Sequence, residues 1–144
     1  QTEVIANPDL VTLNREYAAN HVQRQNMAGF GAEREFVATI VSIENNCEYC
    51  IEHHSTALRH YWSDERVDGL LDVYEDRETL KFTGRESSIA RHAARLTHSP
   101  GDIDESHLQR LRSHGLTDAD LLNLTLVVAY FNFVNRIALG LGVD

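Results

Sequence analysis

The chain has 144 residues, 24% of them charged, with 13 Lys and Arg against 22 Asp and Glu and a formal net charge of −9. That length predicts one domain with a real core, spanning the whole chain. The acidic balance, without any run of Lys or Arg, argues against a nucleic-acid backbone or an anionic membrane surface as the main partner. The longest apolar stretch, Leu121 to Phe133, is interrupted by Asn123, Thr125 and Asn132 and is not expected to span a membrane. The chain begins at Gln1, which reads as a trimmed or processed start, and no signal-peptide pattern follows. Two cysteines at CxxC spacing do not make a secreted disulfide framework, so a reducing cytoplasm is the expected setting.

The remaining pattern is helical, with no alternating strand signature, and predicts an all-α fold of about six or seven helices. Asn7-Pro8 opens a helix over Asp9–Gln25, followed by a turn at Met27–Gly31. A second helix is predicted over Ala32–Ile43, with Phe36, Val37, Ile40 and Val41 on one face and Glu35, Thr39 and Ser42 on a more polar one. Asn45-Asn46 breaks it and is placed to cap a third helix running to about Tyr61. Ser63-Asp64 starts a short helix ending near Tyr74, and Glu75–Lys81 is a charged connection. A helix over Arg85–Thr97 stops at Ser99-Pro100-Gly101. Asp104–Ser113 forms the next, closed by Gly115. Thr117 with Asp120 has the form of a capping box and starts a last helix to about Leu139. That helix is apolar nearly all round, which predicts a subunit interface as well as a core.

The segment Glu35–Tyr61 carries the chemistry. Both cysteines lie here, at Cys47 and Cys50, with His54 four residues on. At about 100° per residue, and with Cys47 at zero, Cys50 falls at about −60°, His54 at −20°, Leu58 at +20°, Ile51 at +40°, Tyr61 at −40° and Trp62 at +60°. The thiols and one imidazole share an inward stripe. Glu48, Tyr49, Glu52, His53, Thr56, Arg59 and His60 face outward. His21, His53, His60, His92, His98, His107 and His114 show no ligand spacing and read as surface residues. Asn132, Asn135 and Arg136 read as polar contacts across an interface or as the exposed edge of the last helix.

The spacing Glu35, Cys47, Cys50, His54 resembles the core of the AhpD-like (alkylhydroperoxidase D-like), carboxymuconolactone decarboxylase superfamily. The run Glu33–Ser42 leading into Asn46–Cys50 is similar to its peroxidase-related branch, as is Ala129–Arg136 in the last helix. The resemblance covers nearly the whole chain. It implies an all-helical homo-oligomer, often a trimer or hexamer, that reduces hydroperoxides through thiols and needs no bound cofactor. Carried over by residue, Cys50 becomes the peroxidatic thiol, Cys47 the resolving one, and His54 with Glu35 the proton relay. The small-molecule substrate is then a hydroperoxide, and the reductant a dithiol of the thioredoxin or lipoyl type. Tyr49 stands between the cysteines, where the best-known AhpD proteins have a histidine.

These residue types suit that chemistry. Thiolate, not thiol, cleaves an O–O bond, and a helix N-terminus favours the anion. A histidine one turn on can take the proton, and a carboxylate can orient it. Cysteines at i and i+3 are close enough to close a disulfide before over-oxidation. Other readings stay open: a thiol–disulfide oxidoreductase without a peroxide step, or a non-catalytic helical module whose cysteines are inert or hold a metal. Zinc on Cys47, Cys50 and His54 is disfavoured, because tetrahedral sites usually draw ligands from two separated arms.

Overall fold

A computed structural model describes residues 31–73 and 81–143. The expected helix over Asp9–Gln25, most of the turn after it and most of the connection from Glu75 lie outside the described residues. Those described form six α-helices and no strand: α1 (Gly31–Glu44), α2 (Glu48–Leu58), α3 (Asp64–Val73), α4 (Gly84–His98), α5 (Glu105–Ser113) and α6 (Asp118–Gly140), with a 3-10 turn at Pro100–Asp102 before α5.

α1 is the central element, packed against α2, α4 and α6. Every residue from Phe36 to Ser42 is buried. The face expected to be polar is therefore inside as well. Thr39 and Ser42 manage this by donating their hydroxyls to their own helix, to the carbonyls of Glu35 at 2.8 Å and Ala38 at 2.6 Å, so neither leaves an unpaired group in the core.

The junction between α1 and α2 corrects the expected cap. Asn46 has φ of +53°, a left-handed conformation that Asn tolerates better than most residues. The amide of Cys47 bonds the carbonyl of Ser42, and that of Asn46 bonds the carbonyl of Ile43, both at 3.0 Å. This is the paired bonding of a Schellman closure, so Asn46 ends α1 instead of opening α2. Cys47 is the N-cap of α2, in extended backbone and without a side-chain capping bond. α2 is also shorter than expected. After Leu58 the chain tightens into a turn with Tyr61 N–H on the Leu58 carbonyl at 2.9 Å, and Trp62 packs at a tilt on Phe36 with ring centroids 5.1 Å apart. Tyr61 leaves the inward stripe and is 55% exposed.

The later helices start as their sequences suggest. Thr117 accepts from the Asp120 amide while Asp120 accepts from the Thr117 amide, and Asp104 with His107 makes a similar box on α5. Gly115, at φ of +88°, closes α5. One main cluster, including Phe36, Ile40, Leu58, Ile89, Leu124 and Val127, joins these helices. His92 is not a surface residue. It lies buried on the inner face of α4, with Nε2 3.3 Å from Thr125 Oγ1 on α6, because its neighbours Ile89 and Ala93 share the face that packs inward. Its pKa is lowered by burial and, secondarily, by His107.

α6 runs for 23 residues and, by length and composition, could cross a membrane. The expectation drawn from its interrupting polar residues was too narrow, since the helix extends beyond Leu121–Phe133 at both ends. Here its buried stripe, from Leu121 through Val128 and Phe131 to Ala138, packs on the other helices, while Leu122, Leu126, Phe133 and Leu139 face outward.

Candidate redox site

Cys47 and Cys50 are joined as a disulfide, with their Cα atoms 5.2 Å apart, within the span that adjacent turns of a helix allow. Cys47 is 0% exposed and Cys50 3%. They form a small cluster of their own with Ala138 of α6, against which Tyr49 and Val143 pack. The pair opens α2, whose first amides lack intrahelical acceptors and favour negative charge on a nearby sulfur.

One turn after Cys50, His54 Nδ1 lies 3.0 Å from Glu35 Oε2, and the two side chains are only 12% and 15% exposed. Glu35 is thus not a solvated helix charge; α1 and α2 pack so that its carboxylate meets the imidazole. The His54 ring also rests edge-on against Phe131 of α6, centroids 4.8 Å apart. His53 is exposed, as expected, and stacks on Tyr49 at 6.2 Å. The four predicted site residues therefore lie on two packed helices: the cysteines are bonded to each other and His54 to Glu35.

A polar network beside the cysteines did not stand out as part of the site in the sequence. Asn45 Nδ2 donates to Asn132 Oδ1 at 3.0 Å and Asn135 Oδ1 at 3.3 Å. Asn132 Nδ2 donates to Thr97 Oγ1 and the Val128 carbonyl, both at 3.0 Å, and Arg136 donates to Asn132 Oδ1 at 2.6 Å. Asn135 is completely buried. These asparagines bond within the chain, and Asn135 is no exposed edge. They tie the residue two before Cys47 to α4 and α6. The available signal was two asparagines three residues apart inside an apolar helix.

No protein-family profile matches the chain, and no functionally curated protein is significantly similar to it in sequence. Solved structures match it in fold. An uncharacterised peroxidase-related protein from a Silicibacter species is 26% identical with a TM-score of 0.80, covering 94% of this chain and 70% of that one. A peroxidase-related protein with an alkylhydroperoxidase AhpD core, from Ralstonia eutropha, is 24% identical with a TM-score of 0.80, covering 96% and 71%. A variant of the debrominase Bmp8 in complex with 2,3,4-tribromopyrrole has a TM-score of 0.73 at 17% identity, covering 96% and 71%. These neighbours suggest enzymatic activity. The all-helical fold shared with the peroxidase-related proteins, on which this chain carries its Glu35, CxxC, His54 arrangement, supports the AhpD-like superfamily.

Proposed function

We propose that the protein is a thiol-dependent hydroperoxide reductase with an antioxidant role, working through Cys50 and Cys47 with His54 and Glu35 as its proton relay. The observation that carries this reading is the pairing of a redox-competent CxxC at a helix start with a buried His54–Glu35 couple one turn away.

In the reduced protein, Cys50 is the attacking thiolate, since it is the cysteine with some solvent exposure. Its sulfur attacks the distal peroxide oxygen; the O–O bond breaks, an alkoxide leaves, and Cys50 becomes a sulfenic acid. With Nδ1 bonded to Glu35, Nε2 of His54 is the nitrogen left to carry a proton from the thiol to the alkoxide. The Cys47 sulfur then attacks the sulfenic sulfur, whose oxygen leaves as water, and forms the disulfide. An external dithiol of the thioredoxin or lipoyl type gives two electrons and returns both cysteines to the reduced form. No metal or organic cofactor enters this cycle. A reducing compartment such as the cytoplasm would supply the dithiol. The outward apolar residues of α6 support a homo-oligomer, a trimer or hexamer, as the working form.

The test is stopped-flow oxidation of the fully reduced protein by hydrogen peroxide and an organic hydroperoxide, with intact mass to identify the product. Fast loss of both thiols to the Cys47–Cys50 disulfide, abolished in Cys50→Ser, is expected. Slow oxidation with thiols that still exchange with disulfides would replace this reading with a thiol–disulfide oxidoreductase, and inert thiols would point to a non-catalytic module.

A further inference from the structure

The orientation of Asn135 is fixed by its neighbours. Asn132 must turn Nδ2 toward the Val128 carbonyl, which can only accept, so its Oδ1 faces Asn45. Asn45 must then present Nδ2 there, and the same NH2 reaches Asn135, which must offer Oδ1 in return. The Nδ2 of Asn135 is left over. It is buried without a hydrogen-bond partner, on a side chain that is 0% exposed. Natural cores seldom keep such a donor without a use for it.

Its place on α6 suggests the use. Phe131, four residues earlier, touches His54, and Ala138, three residues later, touches the cysteines. Residues at these spacings share one face of a helix, so α6 carries Asn135 between the residue that meets the imidazole and the residue that meets the sulfur pair. Cys47 is the more enclosed sulfur. When an outside thiolate attacks the more accessible Cys50, the bond to Cys47 breaks and Cys47 leaves as a thiolate in an apolar pocket, where a charge needs a donor.

We propose that Asn135 Nδ2 is the hydrogen-bond donor that receives the Cys47 thiolate when the disulfide opens. This rests on the reading that the pair cycles between disulfide and dithiol, though not on a peroxide being the oxidant. The amide is unpaired in the oxidised protein and paired in the reduced one, which draws the equilibrium toward reduction. The dithiol that opens the bond is oxidised to its own disulfide. Of its two protons, one is taken up by Cys50 and the other is released while Cys47 stays ionised. Among the described residues, the ionisable groups around the pair are Tyr49, His54 and the exposed Glu48, Glu52 and His53 on α2, and Glu35 and Glu44 on α1. α6 contributes only Arg136, which is exposed and bonded to Asn132.

The test uses the full chain with Asn135→Asp, which keeps the oxygen for Asn45 and loses the donor, and Asn135→Ser, which keeps a shorter donor. Each is equilibrated in dithiothreitol redox buffers, and thiolate is followed by its ultraviolet absorbance against pH. N135D is expected to shift the equilibrium toward the disulfide by about tenfold or more, about 30 mV for a two-electron couple, and to raise the first thiolate titration by about one unit or more. N135S is expected to fall between N135D and the parent protein. Asn45→Ala keeps the Asn135 amide but removes the neighbour that orients it, and is expected to shift the equilibrium less than N135D does. Folded N135D within twofold of the parent would overturn the proposal, as would N45A shifting the equilibrium as far as N135D. Inertness toward peroxides with the N135D shift intact would remove the peroxidase reading and leave this one standing.

Discussion

Replacing Glu35 by Gln probes the relay with the least disturbance, because the side chain keeps its size and its bond to His54 but loses its charge. The carboxylate and imidazole are 3.0 Å apart and mostly buried, so solvent screens their interaction weakly. A hydrogen bond to a charged partner contributes about 1.5–3 kcal/mol. If that stabilisation is present only while His54 carries the proton in transit, its loss slows thiol oxidation by roughly 10- to 150-fold. The assay is the rate constant for oxidation of the reduced protein under excess hydroperoxide at pH 7, in Glu35→Gln, His54→Gln and the double variant. Since Glu35 acts through His54, the double variant should be no slower than His54→Gln alone. A Glu35→Gln rate within twofold of the parent would refute the reasoning, and an additive double variant would show that Glu35 acts by another route.

Leu58, fully buried at the end of α2, should cost about 2–5 kcal/mol on change to Ala, lowering Tm by roughly 5–20 °C; a smaller loss by chemical denaturation would mean that the α1–α2 packing relaxes around the gap. His92 has its folded pKa below the ordinary 6.5, so the unfolded chain binds its proton more readily. Its contribution is then fully present above pH 6.5 and declines as pH falls through that value toward the lowered one. Denaturation midpoints between pH 7.5 and 5 should fall less steeply in His92→Leu, and an unchanged slope would assign the effect to other groups. Phe133→Glu, on the outward face of α6, should shift the sedimentation coefficient to that of a smaller species with helicity retained; an unaltered assembly would place the interface elsewhere.

Helix identity and most boundaries were legible because they rest on local chemistry. Thr117 with Asp120 and the glycine at 115 act within a few residues of themselves. Glu35, Cys47, Cys50 and His54 were legible as a spacing. What the spacing did not reveal was the competition at Asn46, where closing α1 wins over capping α2 because one residue cannot do both. Burial of His92 and Asn135 was also hidden. Each is a polar side chain whose inward position is decided by helices distant in the chain, and periodicity weighs such residues as surface.

The turn between α1 and α2 has a mechanical consequence. The backbone of Cys47 belongs to the closure of α1 through Ser42, while its side chain starts α2 and meets Cys50. Making or breaking the sulfur bond therefore leaves the main-chain bracket between the two helices in place. The scaffold is silent to its own oxidation state: among the described residues, information about that state leaves the site through the side chains resting on the sulfurs, Tyr49, Ala138 and Val143, and through the Asn135 amide.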